Sequence, residues 1–224
     1  MTARERALVA LALLGAIGWG VLAPRAAAPS PLWPLKGVAV AALALLAAGR
    51  RRDIAGAALL ATALVAHAAG DLLLARAPFL AGVAAFAVGH LLLVALFWRH
   101  RIWWDDVTGG PKLRLGLLAL AGALLLFLLR RGLAGPLTIA VPLYALALLA
   151  MAGMAQVARR GQPWVALGAF AFVLSDALLA LGLFRHLAAG DALVWPLYAA
   201  AQLAITLGWL YGSVTPSPSA ETTD

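Results

Sequence analysis

The sequence predicts an all-α, polytopic membrane protein, and its composition, its apolar runs and its basic residues all indicate this class. Of its 224 residues, 64% are hydrophobic and 12% are charged, whereas a soluble domain carries about 25% charged residues. Apolar runs long enough to span a bilayer, about 20 residues each, recur along the chain. The net charge of +8 comes from short basic clusters between these runs, as membrane topology requires, so no nucleic-acid partner is expected. The absence of cysteine excludes disulfides and thiolate metal sites.

Eight apolar runs predict a bundle of eight transmembrane helices within a single domain over residues 1–214. The predicted spans are Ala7–Ala23, Trp33–Gly49, Ile54–Ala75, Pro78–Trp98, Leu113–Leu129, Leu133–Ala158, Pro163–Phe184 and Ala192–Val214. The longest connection contains Trp103 and Trp104, which suit an interfacial belt. The tail over residues 215–224 is polar and rich in Pro and Ser, which predicts disorder.

The basic residues predict the orientation of the bundle. With eight spans, the N-terminus and the loops after spans 2, 4 and 6 lie on one side, with eleven Lys and Arg residues, and the other side has six. The eleven are Arg4, Arg6, Arg50, Arg51, Arg52, Arg99, Arg101, Lys112, Arg114, Arg159 and Arg160; the six are Arg25, Lys36, Arg76, Arg130, Arg131 and Arg185. Because the richer side is cytoplasmic, both termini are predicted to face the cytoplasm of a multi-pass cell-membrane protein.

The first span has an alternative interpretation. Arg4 and Arg6, the apolar run and the "AAA" at 26–28 are typical of a cleaved signal peptide. The apolar run is longer than the usual stretch of about 7–15 residues, and Arg25 lies next to the cleavage site. These two features favour a retained helix.

Short internal matches predict a weak 4+4 repeat. "GDLLLA" at 70–75 matches "SDALLA" at 175–180, on the parallel spans 3 and 7. "WPLK" at 33–36 and "WPLY" at 195–198 open spans 2 and 8, and "VPLY" at 141–144 lies within span 6. A proline near a helix start is tolerated, whereas Pro142, deeper in its span, is predicted to kink it.

Ionisable and polar residues collect in the outer halves of the spans. Asp71 lies roughly 6 Å and Asp176 roughly 12 Å from the outer ends of their spans, and His67 is one turn deeper than Asp71 on the same face. An ionisable group in a span costs about 2.5–3.5 kcal/mol, which favours a functional role for the two carboxyls over a structural one. Of the other polar residues, Lys36 and Tyr198 lie in the outer parts of their spans, Tyr144 and Gln202 lie nearer the midplane, and His90 lies somewhat deeper. For four of these residues a structural role is also open: packing for His67 and His90, anchoring for Tyr198 and snorkelling for Lys36.

The motifs around these residues resemble the YhhN family of integral membrane proteins, the lysoplasmalogenases. The resemblance extends from Pro34 to about Leu207 and rests on "HAAGDLLLA", "FLAGVAAFAVGH", "GAFAFVLSDALLA" and "PLYAAAQLAI". It implies that Asp71 and Asp176 are catalytic and that the residues around them, Ser175 included, contact a lysophospholipid. The implied reaction is hydrolysis of a lysoplasmalogen vinyl ether to a fatty aldehyde and a glycerophospho-head group.

Two aspartates suit this chemistry without a metal or cofactor. A vinyl ether hydrolyses through protonation at carbon, which gives an oxocarbenium ion that water then attacks. One protonated Asp supplies the acid, and one ionised Asp stabilises the cation and orients the water. The substrate phosphate is expected to pair with Lys36 or Arg76.

Three other classes remain open from the sequence. Intramembrane carboxylates also relay protons in transporters, but the inner halves of these spans offer few polar residues for such a route. A zinc-dependent intramembrane lipid hydrolase usually needs three protein ligands, for which His67, Asp71 and Asp176 form a minimal set. The third class is a purely structural membrane protein.

Overall fold

The predicted all-α architecture is confirmed in the computed structural model, which describes residues 1–22, 32–102, 110–187 and 191–214. In these ranges the chain forms eight α-helices and only isolated β-bridges, with no strand. The helices are α1 (Ala3–Leu22), α2 (Pro34–Gly49), α3 (Ala57–Arg76), α4 (Phe79–Arg99), α5 (Gly110–Leu129), α6 (Leu137–Gln156), α7 (Trp164–Arg185) and α8 (Asp191–Tyr211). The end at which α1 begins is the inner end of the bundle, and the opposite end is the outer end.

Seven of these eight helices are long and apolar enough to cross a membrane, so the chain is a multi-pass membrane protein. The exception is α2, with 16 residues, or roughly 24 Å at 1.5 Å per residue, against a hydrocarbon core of about 30 Å. All eight predicted spans are thus present as helices, and seven of these helices have the length expected of a membrane span. Trp103, Trp104, the "AAA" at 26–28 and the tail at 215–224 lie outside the described residues.

The position of the two helix prolines differs from the prediction. Pro142 and Pro196 are each the sixth residue of their helix, α6 and α8. The prediction that Pro142 lies deeper in its helix than Pro196 is wrong because α6 begins at Leu137 rather than Leu133; the predicted kink at Pro142 stays a prediction. Gly135 has a left-handed backbone, with φ of 54°, and this turn delays the start of the helix.

The central helices bury their small and branched residues against one another. Helix α2 packs against α1, α3 and α8, α4 packs against α3 and α6, and α7 packs against α8. Helices α1 and α5 lie at the edges and bury few residues; Leu14 and Leu120 are each 67% exposed, which suits contact with lipid. The largest fully buried side chains are Leu43, Leu46, Leu60, Leu64, Leu93, Leu96, Phe97, Leu129, Met151, Phe172, Ile205 and Trp209.

At the inner end, the connections that the structure describes pack against one another. The Trp209 indole donates a hydrogen bond to the carbonyl of Ala55 over 3.1 Å, and the Arg160 guanidinium donates to the carbonyls of Trp209 and Gly212, each over 3.4 Å. The His100 ring packs edge-on against Trp209. Burial, with the nearby guanidinium groups of Arg160 and Arg99, lowers the pKa of His100, because both disfavour the charged form of the ring.

Candidate active site

A cavity of about 410 Å³ lies in the outer half of the bundle. It reaches the outer end, because its lining includes Phe79, the first residue of α4, and Phe184, the penultimate residue of α7. Six polar or charged residues from α2, α3, α6, α7 and α8 line it: Lys36, Asp71, Tyr144, Ser175, Asp176 and Tyr198. Most of the remaining lining is aliphatic or aromatic. The two sequence-predicted carboxyls therefore face the same space, although 105 positions separate them in the chain.

Asp71 is held by α8. Its side chain is buried, with 3% of the residue exposed, and Oδ2 accepts a hydrogen bond from the Tyr198 hydroxyl over 2.7 Å. Lys36 and Asp176 line the same cavity as Asp71. A buried carboxyl with a hydroxyl donor has a fixed orientation.

Asp176 has a similar partner from α6. The Tyr144 hydroxyl donates a hydrogen bond to Asp176 Oδ2. The same hydroxyl lies 3.1 Å from His90 Nε2, so His90 on α4 orients the tyrosine that holds Asp176. Each carboxyl of the cavity thus has one tyrosine hydroxyl as its donor.

His67, His90 and Gln202 lie behind these tyrosines. None of the three is among the described residues that line the cavity, and their direct contact with substrate stays a prediction. Gln202 Nε2 lies 3.0 Å from His67 Nδ1, and the His67 and His90 ring centroids are 5.0 Å apart. His67 Nε2 and His90 Nδ1 are buried without a hydrogen-bond partner. This arrangement suits support of the tyrosine–aspartate pairs rather than contact with a ligand.

A glycine, Gly89, allows His67 and His90 to pack side by side. A Cβ at Gly89 would collide with Cδ2 and Nε2 of the His67 ring. Gly89 therefore lets α4 approach α3 closely enough for His67 and His90 to lie side by side, as small residues do at membrane helix contacts.

The sequence model of the YhhN family matches residues 32–209, which include every polar residue of the cavity wall. The chain belongs to the YhhN family. It is also similar to a protein of Mycobacterium bovis and one of Mycobacterium tuberculosis, both named lysoplasmalogenase, with 34% identity over 173 residues in each case. Each match covers 74% of this chain and 65% of the relative, so just under two thirds of the relatives' length is matched. No solved structure matches the chain.

In this YhhN protein Ser175 and Lys36, two further residues predicted to contact substrate, do line the cavity. Ser175 lines the cavity, but its hydroxyl donates a hydrogen bond to the Val194 carbonyl over 2.8 Å, which ties α7 to α8. Lys36 lines the cavity with its ammonium beside the Trp19 and Trp195 rings. Arg76, the alternative phosphate partner, is exposed, lies over Trp33 and is not part of the cavity lining.

Sequence analysis missed the aromatic walls of the site. Trp19 and Trp195 were not singled out, although "WPLY" at 195–198 was noted as a repeated motif. Phe86 and Phe172, whose rings flank His67, look like ordinary apolar residues of a span. Within the described ranges, no group of three or more His, Asp or Glu side chains is placed to hold a metal ion, so His67, Asp71 and Asp176 do not form such a set.

Proposed function

We propose that this YhhN protein is a hydrolase that cleaves the vinyl ether bond of lysoplasmalogens by acid–base catalysis at Asp71 and Asp176. The observation that carries the proposal is that the two carboxyls line one cavity, each with a tyrosine hydroxyl donor. Family membership and the two relatives named lysoplasmalogenase support the same reaction. The cavity opens at the end of the bundle that the basic residues predict to face outward in the cell membrane.

In the first step, an acid donates a proton to a carbon of the vinyl ether. The carboxyl pair holds one proton, and the protonated Asp transfers it to the β-carbon of the vinyl ether. The C=C π electrons form the new C–H bond, and the ether oxygen shares the resulting positive charge as an oxocarbenium ion. The ionised Asp stabilises this cation in a cavity of low dielectric.

The later steps complete the hydrolysis and return the two carboxyls to their initial protonation states. Water adds to the oxocarbenium carbon and gives its proton to the Asp that was ionised, which leaves a neutral hemiacetal. The Asp that gave the first proton takes the hemiacetal hydroxyl proton, and the other Asp protonates the departing glycerol oxygen. The C–O bond then breaks to release aldehyde and glycerophospho-head group, so one water is consumed and the carboxyl pair returns to its initial state.

The shape of the cavity suits a lipid with one chain. Its volume of 410 Å³ falls in the usual range for small-molecule sites, about 300–1,000 Å³. A neighbouring apolar groove, lined by Pro78, Leu80, Ala134, Pro136 and Leu137, shares Phe79, Leu183 and Phe184 with the cavity. The aliphatic chain extends along this groove while the vinyl ether lies between the carboxyls.

One assay tests the proposal directly. Purified protein is incubated with a 1-alkenyl lysophospholipid and with its saturated 1-alkyl and 1-acyl analogues, and aldehyde release is measured. Only the vinyl ether should react, because neither analogue forms an oxocarbenium ion by protonation at carbon. Cleavage of the ester, or no cleavage of the vinyl ether by folded protein, would contradict the proposal.

The transporter alternative receives less support from the structure. Towards the inner end, the core below the histidines contains Leu60, Leu93, Leu96, Met151 and Ile205. Gln156 and Thr206 are also buried in the inner half, but Gln156 donates its hydrogen bond to its own helix. The cavity and the packed inner end are thus separated mainly by apolar side chains.

A further inference from the structure

The ammonium of Lys36 is held by two indole rings. Its Nζ lies 5.2 Å from the Trp19 ring centroid and 5.6 Å from the Trp195 ring centroid. The two indoles meet edge to face, with centroids 6.2 Å apart. Cation–π contacts with the two rings hold the ammonium in position. An ammonium has three N–H donors, so at least one remains available to an anion even if each ring takes one.

Helix α1, which provides Trp19, is attached along its length. The Trp195 indole donates a hydrogen bond to the Ala16 carbonyl over 2.7 Å, and a Cβ at Gly20 would lie only 3.1 Å from the Trp195 ring. A Cβ at Gly15 would lie 3.1 Å from the Ala39 backbone nitrogen of α2. Small residues on α1 therefore allow close packing against α2 and α8.

The inner end of α1 has its own attachment. Glu5 forms an ion pair with Arg50 over 2.9 Å, and Thr2 and Glu5 exchange two hydrogen bonds at the start of the helix. With contacts at both ends, the position of Trp19 is defined by the fold rather than by a loosely placed helix.

The position of Lys36 in the cavity favours the phosphate of a lysophospholipid as the anion that binds there. Lys36 and Trp19 line the same cavity as Asp71 and Asp176. In a lysophospholipid the phosphate and the sn-1 chain are joined through the three carbons of glycerol, so a phosphate at Lys36 keeps the sn-1 bond within the cavity. Arg76 is exposed and outside the lining, which makes it the less suitable partner.

We propose that Trp19 of α1 and Trp195 of α8 hold Lys36 as the phosphate-binding group of a headgroup subsite, so that α1 determines specificity for phosphate-bearing single-chain lipids. The inference rests on the proposed function for its substrate class. It extends beyond the family match, which begins at residue 32 and leaves α1 outside. Trp19 acts through Lys36 and is a positioning residue, not a catalytic one.

The test measures binding without turnover. Protein in nanodiscs is titrated calorimetrically with 1-acyl lysophosphatidylcholine, which has the phosphate, and with 1-monoacylglycerol of the same chain length, which lacks it. Lys36→Ala and Trp19→Ala should each weaken lysophosphatidylcholine binding by about tenfold or more, as expected for loss of a charge-assisted contact. Neither should change monoacylglycerol binding by more than about twofold. With the vinyl ether substrate, Trp19→Ala should raise KM and leave kcat nearly unchanged.

Matched controls separate this role from general damage. Arg76→Ala removes a cation at the same end that lies outside the cavity, and Trp98→Ala removes an exposed tryptophan that also contacts a cation, Arg101; neither should change lysophosphatidylcholine binding. Trp19→Phe keeps an aromatic face and should retain most of the affinity, which guards against misfolding of Trp19→Ala.

Equal losses for both lipids, an Arg76→Ala effect as large as that of Lys36→Ala, or wild-type binding by Trp19→Ala would each contradict the inference. Binding of inorganic phosphate with no preference for lysophosphatidylcholine over monoacylglycerol would contradict it as well. If the binding discrimination follows the prediction but no vinyl ether is cleaved, the proposed reaction fails and the phosphate subsite stands.

Discussion

The hydroxyl of Tyr198 on α8 donates a hydrogen bond to Asp71 Oδ2 on α3 over 2.7 Å, across 127 positions of sequence. Tyr144 on α6 has the same relationship to Asp176 on α7. Both tyrosines are the eighth residue of their helix and follow a Pro-Leu pair. Each carboxyl of the proposed catalytic pair therefore depends on a neighbouring helix for its orientation.

Removal of either tyrosine hydroxyl should lower kcat more than it changes KM. A hydrogen bond to a charged group contributes about 1.5–3 kcal/mol, so Tyr198→Phe and Tyr144→Phe should each reduce kcat by about 10- to 100-fold, as steady-state kinetics would measure. Tyr211→Phe is the control, since Tyr211 lies on α8 at the inner end, far from the cavity. Near-normal kcat in both cavity variants would show that the hydroxyls do not orient the carboxyls.

Asp71 and Asp176 should act as one unit. Substitution of either by Asn removes an acid or a base and should lower the rate by about 10²–10⁴. The double variant should be hardly slower than the slower single variant, because residues of one catalytic unit are non-additive. Asp53→Asn, in an exposed inner turn, should leave the rate unchanged. Folded, monodisperse Asn variants with near-normal turnover would remove both aspartates from the mechanism.

Proton transfer to carbon should be at least partly rate-limiting. Turnover of the vinyl ether is expected to slow in D₂O, and the rate should fall as the pH rises and the pair loses its second proton. Rates measured in H₂O and D₂O across matched pH profiles test both points. A rate that is insensitive to D₂O and flat towards high pH would show that no carboxylic acid delivers the proton.

Activity should survive strong chelators. The proposed steps use only two carboxyls and water, so prolonged treatment with EDTA or phenanthroline is expected to leave turnover unchanged. Loss of activity that Zn²⁺ restores would favour the metal-dependent lipid hydrolase instead, because a bound metal would then supply the nucleophile.

Topology is testable independently of activity. The asymmetry of eleven to six basic residues predicts that reporters fused after Arg52 and after Arg160 both lie in the cytoplasm. Given a cytoplasmic N-terminus, which a reporter fused there tests, that result requires the short helix α2 to cross as well. A reporter on the other side at either position would show a different number of crossings. Mass spectrometry of the mature N-terminus tests α1 separately, where a start near Pro29 would indicate a cleaved signal.

The two aspartates could be recognised from the sequence because an ionisable residue in a membrane span costs free energy, and such residues usually have a function. Tyr144 and Tyr198 were found through their polar groups and the repeated Pro-Leu-Tyr pattern. A shift of four helices relates Lys36 to Tyr144 and Asp71 to Asp176, as a 4+4 repeat predicts; that repeat stays a prediction.

Other parts of the site depend on how the helices are rotated, which local sequence does not encode. The contact between Gln202 and His67 joins residues 135 positions apart. Trp19 could not be recognised, because a tryptophan near the end of a span looks like an interfacial anchor. The sequence also placed the start of α6 too early, at Leu133 rather than Leu137, because it does not reveal the left-handed turn at Gly135.

The packed inner end, where Trp209 and Arg160 join the connections, has a consequence for lipid supply. Among the described residues the cavity reaches the outer end and not the inner one. The proposed reaction is therefore expected to draw lysolipids from a single leaflet, and those of the opposite leaflet should react after they flip across the bilayer. The proposed reaction should release the aldehyde into the leaflet from which its parent lipid came. In vesicles with substrate on both faces, turnover should show a fast phase for the accessible leaflet and a slow phase set by transbilayer movement.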